Sequence, residues 1–338
     1  MTAISYPRYQ ETAPGCAIDL SDNTNLWGVP PSVAEMLREN GKRDLSRYPS
    51  AYSTDLKRAI NGYLSVDESM IVAGCGSDDV LDSAIRSYGS PGDLLVQCDP
   101  TFSMIPVFAA VSGVRVRSIS PTHPDFVSRI LGENAQITYL CSPNNPTGSA
   151  LDADVVATIA RESRGLVIID EAYIDFGGSS SLGLAFELDN VLITRTFSKA
   201  FGLAGFRVGY GIASPSLAER IEAARGPYKV TTIGERAACA TITNDLAWVE
   251  ACVSKTIENR ERFKEALTNL GFSPLASAAN FLLVPVAGAQ PFDNRLRDAG
   301  IAVRRFNALT TIGDALRISI GPWEMLQECL DALVAISQ

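Results

Sequence analysis

The sequence predicts an α/β protein: one large layered domain with a mostly parallel sheet between helices, then a smaller α+β domain. Three observations carry this. Short runs rich in Val, Ile and Leu recur through the first two thirds of the chain. Segments of helical period separate them. Beyond about residue 240 the pattern changes to a long charged helix followed by a few strands and a closing helix.

The strand-length runs are DLLVQC (93–98), VRVRSI (114–119), QITYLC (136–141), GLVIID (165–170), NVLITR (190–195) and RVGYGI (207–212). Apolar on both alternating faces and bounded by turn residues, they read as strands of a sheet covered on both sides. Between them, DADVVATIARES (152–163) places Val155, Val156, Ile159 and Ala160 on one helical face. The layered unit therefore runs from roughly Asn25 to Arg225. Further on, residues 243–271 form a long helix stopped by Gly271. NFLLVPV (280–286), IAVRRF (301–306) and ALRISI (315–320) read as strands, and an amphipathic helix starts near Trp323.

Composition narrows the function. The chain has 338 residues, 46% hydrophobic and 20% charged, with net charge −9 and no basic run, which argues against nucleic-acid binding. No run is long enough to span a membrane, and the N-terminus lacks the pattern of a signal peptide. Seven scattered cysteines without a C-x-x-C pair, and a single histidine (His123), leave no expected metal site or disulfide framework and fit a reducing cytoplasm. A His-based nucleophilic triad is equally disfavoured.

Chemistry gathers at the ends of the expected strands, where open α/β sheets collect ligands. In GCGSDDVLDSAIRSY (74–88), Gly74 and Gly76 permit tight turns, and Ser77 is a plausible N-cap of a helix whose free amides suit a phosphate. Asp79 stands where a dinucleotide fingerprint would have its third glycine, which lowers the odds of NAD. CSPNNPTGS (141–149) follows a strand, and its Asn145 could present an amide to a bound ring. In IIDEAYIDF (168–176) the strand ends in Asp170, a costly place for a carboxylate without a positive partner, and Tyr173 follows. A salt bridge or a helix cap would be the structural account of Asp170; the functional one is a protonated heterocycle. In RTFSKAFGLAGFRVGY (195–210), Lys199 sits among apolar residues, with the hydroxyls of Thr196 and Ser198 beside it and the guanidinium of Arg207 eight residues on. A Schiff-base lysine, an aspartate for a pyridine nitrogen, groups for a ring oxygen and a phosphate cup are together what pyridoxal phosphate (PLP) requires.

These motifs resemble the class I/II PLP-dependent aminotransferases of fold type I, and among them the histidinol-phosphate aminotransferases. SPNNPTG, DEAYIDF, TFSKAFGLAGFRVGY, the Arg-Tyr-Pro of LSRYPSAYSTDLKRAI, GCGSDD, DPTFSM, ANFLLV and ALRISIG all have counterparts there. The resemblance implies a large PLP-binding domain at 26–230 and a small domain formed by 1–25 and 231–338. It implies that Lys199 carries the cofactor and shuttles protons, that Asp170 pairs with the ring nitrogen, and that Tyr173 and Asn145 bond the ring oxygen while Phe102 lies against the ring. Gly76, Ser77, Asp78, Thr196, Ser198 and Arg207 would hold the phosphate, with Tyr48 reaching the phosphate of the other subunit. Arg317, Arg304, Asn145, Asn23 and Tyr9 would bind substrate. A cytoplasmic homodimer with sites at the subunit interface follows, using a small amino donor and a 2-oxo acid acceptor. The sequence departs from the pattern near the substrate end, at SDNTNLWG (21–28), at Ile105 and Pro106, and at Lys229, which is either a solvated charge or an enlargement of a positive pocket. Besides histidinol phosphate, or another amino acid or amine taken by a close paralogue, a threonine-phosphate-type decarboxylase, an aromatic aminotransferase and a non-catalytic binder on the same scaffold remain as readings.

Overall fold

The computed structural model describes residues 15–39 and 45–337. In chain order the strands are β1 (Ile18–Leu20), β2 (Ile71–Cys75), β3 (Leu94–Cys98), β4 (Arg115–Ile119), β5 (Ile137–Cys141), β6 (Leu166–Asp170), β7 (Val191–Thr196), β8 (Val208–Ala213), β9 (Phe281–Pro285), β10 (Ile301–Leu309) and β11 (Gly313–Ser319). Among the described residues they form two sheets. One has seven strands in the order β2-β8-β7-β6-β5-β3-β4, the other four in the order β1-β10-β11-β9.

The seven-stranded sheet is parallel from β7 through β4, and only β8 runs against its neighbours. The β5–β7 residues alternate between two cores. Leu140, Val167, Ile169 and Ile193 belong to one, and Ile137, Tyr139, Leu166, Ile168 and Leu192 to the other. Both faces are covered, which explains why these strands read as continuous apolar runs rather than alternating ones. Each fully buried Val, Leu or Ile contributes about 1.5–3 kcal/mol relative to exposure, so this sheet is a rigid platform.

Two expectations change in detail. VRVRSI was expected to be buried on both faces, yet in β4 only Ile119 is buried. That strand is the sheet edge, paired with β3 alone, and Arg115 and Arg117 face outward as edge strands require. Ser77 is not the helix N-cap: the cap is Cys75, two residues earlier, and the helix runs Gly76–Tyr88. The positive φ of Gly76 turns the chain directly from β2 into the helix, leaving Ser77 in its first turn.

The four-stranded sheet has its own core, in which Ile18 and Leu20 of β1 meet Leu282, Val303, Leu316 and Ile318, together with Phe263 and Leu267 from the helix Leu246–Asn269. The first half of that helix and the helix Thr232–Asn244 pack instead on the large sheet, through Ala237, Ala238, Ile242 and Val249. The long helix thus ties the two sheets together. No helix among the described residues is long and apolar enough to cross a membrane.

Candidate active site

A cavity of 1120 Å³ opens where the C-terminal ends of β5, β6 and β7 face β10 and β11. The open-sheet rule locates ligands at this end.

Asp170 is the last residue of β6 and 3% exposed. Three neutral donors reach it: Tyr139 Oη gives a hydrogen bond to Oδ2 at 2.8 Å, while Thr194 Oγ1 and the Ala172 amide give to Oδ1 at 3.1 and 3.2 Å. None of the ion pairs among the described residues includes it. Burial therefore dominates, and the carboxyl pKa rises to about 6 despite the hydrogen bonds.

Lys199 follows β7 in a tight turn closed by Gly202 N–H to the Lys199 carbonyl. Its Nζ donates to the Asp22 carbonyl at 3.1 Å and lies 5.6 Å from the centre of the Tyr173 ring. Burial first, then the Arg317 charge, bring its pKa down to about 8, with Asp78 and Asp22 opposing. The amine is partly deprotonated at neutral pH, as a nucleophile requires.

An anion cradle lies beside it. The first turn of the helix Gly76–Tyr88 presents Ser77 and Asp78, and the end of β7 and the turn after it bring Thr196 and Ser198, both nearly buried. Arg207, in a left-handed conformation, reaches Ser198 Oγ at 3.4 Å and Asp78 Oδ2 at 3.5 Å. Two glycines make room. A Cβ on Gly76 would lie 2.6 Å from Arg207 Nη2, and one on Gly209 would lie 2.2 Å from the Ser77 amide nitrogen. Backbone cannot yield as a side chain can, so Gly209→Ala must displace the helix start. The expected result is a loss of about 1–3 kcal/mol in denaturant melts, with cofactor affinity falling at least about tenfold in a titration followed by absorbance.

Opposite the cradle, Tyr173 is 4% exposed and packs edge-on against Phe281. Its hydroxyl accepts from Asn23 Nδ2 at 3.1 Å, and burial pushes its pKa up to about 12, so it stays protonated and can donate. Asn23 was expected to touch substrate. It lines the cavity, but its side chain also accepts from Ser319 Oγ at 3.1 Å, so it connects Tyr173 to β11. Arg317 on β11 donates to Asn145 Oδ1 and to the Ser21 carbonyl, both at 2.6 Å. Neighbouring Asn144 instead builds the turn, bonded to Pro100, Thr101 and Thr147. Arg304 stands directly across from Arg317 in the β10–β11 register, and both line the cavity with Phe102.

Tyr48 stands apart from these groups. It is 84% exposed and stacks on Tyr228 with ring centres 5.0 Å apart, outside the cavity lining. Lys229 also lies outside this chain's cavity lining, 3.7 Å from Asp79. Tyr9 lies outside the described residues. Asp22, Thr101, Asp293, Arg297 and Arg305 line the cavity without having been singled out in the sequence. Asp293 pairs with Arg297 at 3.2 Å, one turn along its own helix, and with Arg305 of β10 at 3.9 Å, a tertiary contact that no local motif signals.

Comparison with known proteins gives a consistent answer. A family model described as aminotransferase class I and II matches residues 17–333. The histidinol-phosphate aminotransferase of Ruminiclostridium cellulolyticum is 33% identical over 331 residues, covering 94% of this chain and 92% of that protein. The chloroplastic histidinol-phosphate aminotransferase of Nicotiana plumbaginifolia is 36% identical over 328 residues, covering 93% of this chain and 78% of its own. Among solved structures, the histidinol-phosphate aminotransferase of Sinorhizobium meliloti in complex with pyridoxal-5'-phosphate superposes with a TM-score of 0.89 at 27% identity, covering 95% of this chain and 91% of that one.

Proposed function

The chain belongs to the class I and II aminotransferases, and on that footing we propose that it transfers the amino group of histidinol phosphate to 2-oxoglutarate. It is a fold-type I, pyridoxal phosphate-dependent transaminase, with amino and 2-oxo acids as substrates.

The residues at the cavity fit that cofactor. A buried carboxylate met only by neutral donors is costly until a cation joins it, and a protonated ring nitrogen is such a cation. The glycine-cleared cradle of amides, hydroxyls and Arg207 suits a phosphate. When bound, PLP supplies an electrophilic carbon and a ring that accepts electrons. Lys199 Nζ would hold it, and once displaced by the amino donor would take the proton from the substrate Cα; such acid–base help is worth about 10²–10⁴-fold. Asp170 would keep the ring nitrogen protonated, Tyr173 Oη and Asn145 would bond the ring oxygen, Phe102 would cover a ring face, and Gly76, Ser77, Asp78, Thr196, Ser198 and Arg207 would fix the phosphate.

The single observation that carries the substrate reading is the Arg304–Arg317 pair. Two guanidinium groups facing each other across β10–β11 and both lining the cavity suit an anion bound there, such as the phosphomonoester end of the donor or a carboxylate of the acceptor. We also take the enzyme to be a cytoplasmic homodimer. The exposed Tyr48–Tyr228 pair suits a partner subunit's surface, with Tyr48 directed to that subunit's cofactor phosphate.

The test is a coupled assay with 2-oxoglutarate as acceptor. Glutamate should form from histidinol phosphate with kcat/KM about 10²-fold or more above phenylalanine or tyrosine. Equal or better turnover of the aromatic donors, or CO2 release from phosphothreonine without glutamate, would overturn the substrate reading.

A further inference from the structure

The large sheet buries a tyrosine whose hydroxyl holds another side chain. Tyr139 lies in the middle of β5, fully buried among Leu81, Ile85, Ile168 and Leu192. A phenylalanine would satisfy that apolar core; a buried phenol needs a partner for its hydroxyl. The β5–β6 register sets Cys141 opposite Asp170 and Tyr139 opposite Ile168, so Tyr139 stands diagonal to Asp170 on one face. The diagonal is within reach of an aromatic side chain, and Tyr139 Oη meets Asp170 Oδ2 at 2.8 Å. On the other flank β7 puts Thr194 directly opposite Asp170, and its hydroxyl meets Oδ1 at 3.1 Å. The Ala172 amide completes the set.

We infer that Tyr139 is a positioning residue for amino transfer, donating its hydroxyl proton to Asp170 Oδ2 so that the carboxylate stays ionised and aimed at the ring nitrogen, with Thr194 as its counterpart on Oδ1. This rests on the reading of Asp170 as that nitrogen's partner. The proton shared between ring nitrogen and carboxylate sits on the nitrogen only while the carboxylate is the better anion. Each donated hydrogen bond stabilises the anion. Without the Tyr139 hydroxyl, the proton moves from the ring nitrogen toward Asp170, and the ring accepts electrons less readily.

The surroundings leave few other groups to perform this task. The titratable groups facing Asp170 are Tyr139 and Cys141 from β5, Tyr173 from the loop after β6, and Asp78 from the helix Gly76–Tyr88. Burial holds the Cys141 thiol and the Tyr139 phenol well above their ordinary pKa values, so both remain neutral, and Asp78 repels the anion. Among the described protein groups, neutral hydrogen-bond donors rather than cations therefore support the charge of Asp170.

The experiment titrates the visible band of the holoenzyme with pH. A protonated ring nitrogen lowers the midpoint at which the lysine-bound nitrogen loses its proton. Tyr139→Phe should therefore move that midpoint upward by about half a pH unit or more, with cofactor stoichiometry and melting curve retained and kcat reduced more than KM is raised. Thr194→Val should move it the same way, and Thr194→Ser should keep the wild-type value. These readings stand even if Tyr139→Phe folds poorly, because the Thr194 pair tests the same donation. A midpoint unmoved in both Tyr139→Phe and Thr194→Val, while Asp170→Asn shifts it, overturns the inference and leaves Asp170 in place. A midpoint unmoved in Asp170→Asn overturns the reading of Asp170, and this inference with it.

Discussion

Lys199→Ala is expected to lower turnover by at least about 10⁴-fold, to remove the visible absorption of the lysine-bound cofactor, and yet to yield a more stable cofactor-free protein at pH 7. The first two follow from losing both the attachment point and the proton carrier. The third follows from where the amine sits. Its pKa falls from 10.5 to about 8 on folding, so the unfolded chain binds more protons between those values and stability rises with pH across that window. Below pH 8 the native protein carries the full penalty, up to about 3 kcal/mol. Alanine has no charge to desolvate. Denaturant melts of the two cofactor-free proteins should show the variant more stable at pH 7, with the gap narrowing toward pH 10. A wild-type spectrum in the variant, or a gap independent of pH, would remove Lys199 from this position.

The same desolvation explains what could be read from the sequence. Lys199, Asp170 and Arg207 stand out because charged residues beside continuous apolar runs have no local reason to be there. The β3, β5, β6 and β7 runs were legible for the complementary reason, being buried on both faces. β1 is three residues long and acquires its pairing only from Ile301–Val303, far along the chain, so no local period reveals it. Asn23 showed its type but not its partners: its bonds to Tyr173 and Ser319 span 150 and 296 positions. Tyr139 was hidden within its own strand, where a tyrosine in QITYLC reads as one more core side chain until the β5–β6 register shows what its hydroxyl meets. Motifs declare groups that chemistry forces into unusual neighbourhoods. The residues that hold those groups in place look ordinary along the chain and are defined by tertiary pairing.

Asp170→Asn carries the second large effect. An asparagine keeps the shape but cannot supply the charge that holds a proton on the ring nitrogen, and it turns an amide toward the Tyr139 hydroxyl, which was donating to a carboxylate oxygen. Loss of one preorganised electrostatic contact commonly costs about 10²–10³-fold in kcat, and the loss here should reach at least the upper end because the charge acts on the electron sink itself. The pH dependence separates this role from a structural one. The Asp170 pKa rises from 3.8 to about 6 in the fold, so the native state binds the extra proton and cofactor-free stability falls as pH rises between those values. The cost above pH 6 is about 3 kcal/mol, and a bound cation would offset it. Wild-type protein without cofactor should therefore lose stability from pH 4 to pH 6, and the variant should lack that part of the slope, whatever its absolute stability. Adding PLP should stabilise the wild type more strongly at pH 7 than it stabilises Asp170→Asn. If the slope persists in the variant, another acid is the source, and Asp170 is then a carboxylate already satisfied by its three donors, with no need of a cation from the cavity.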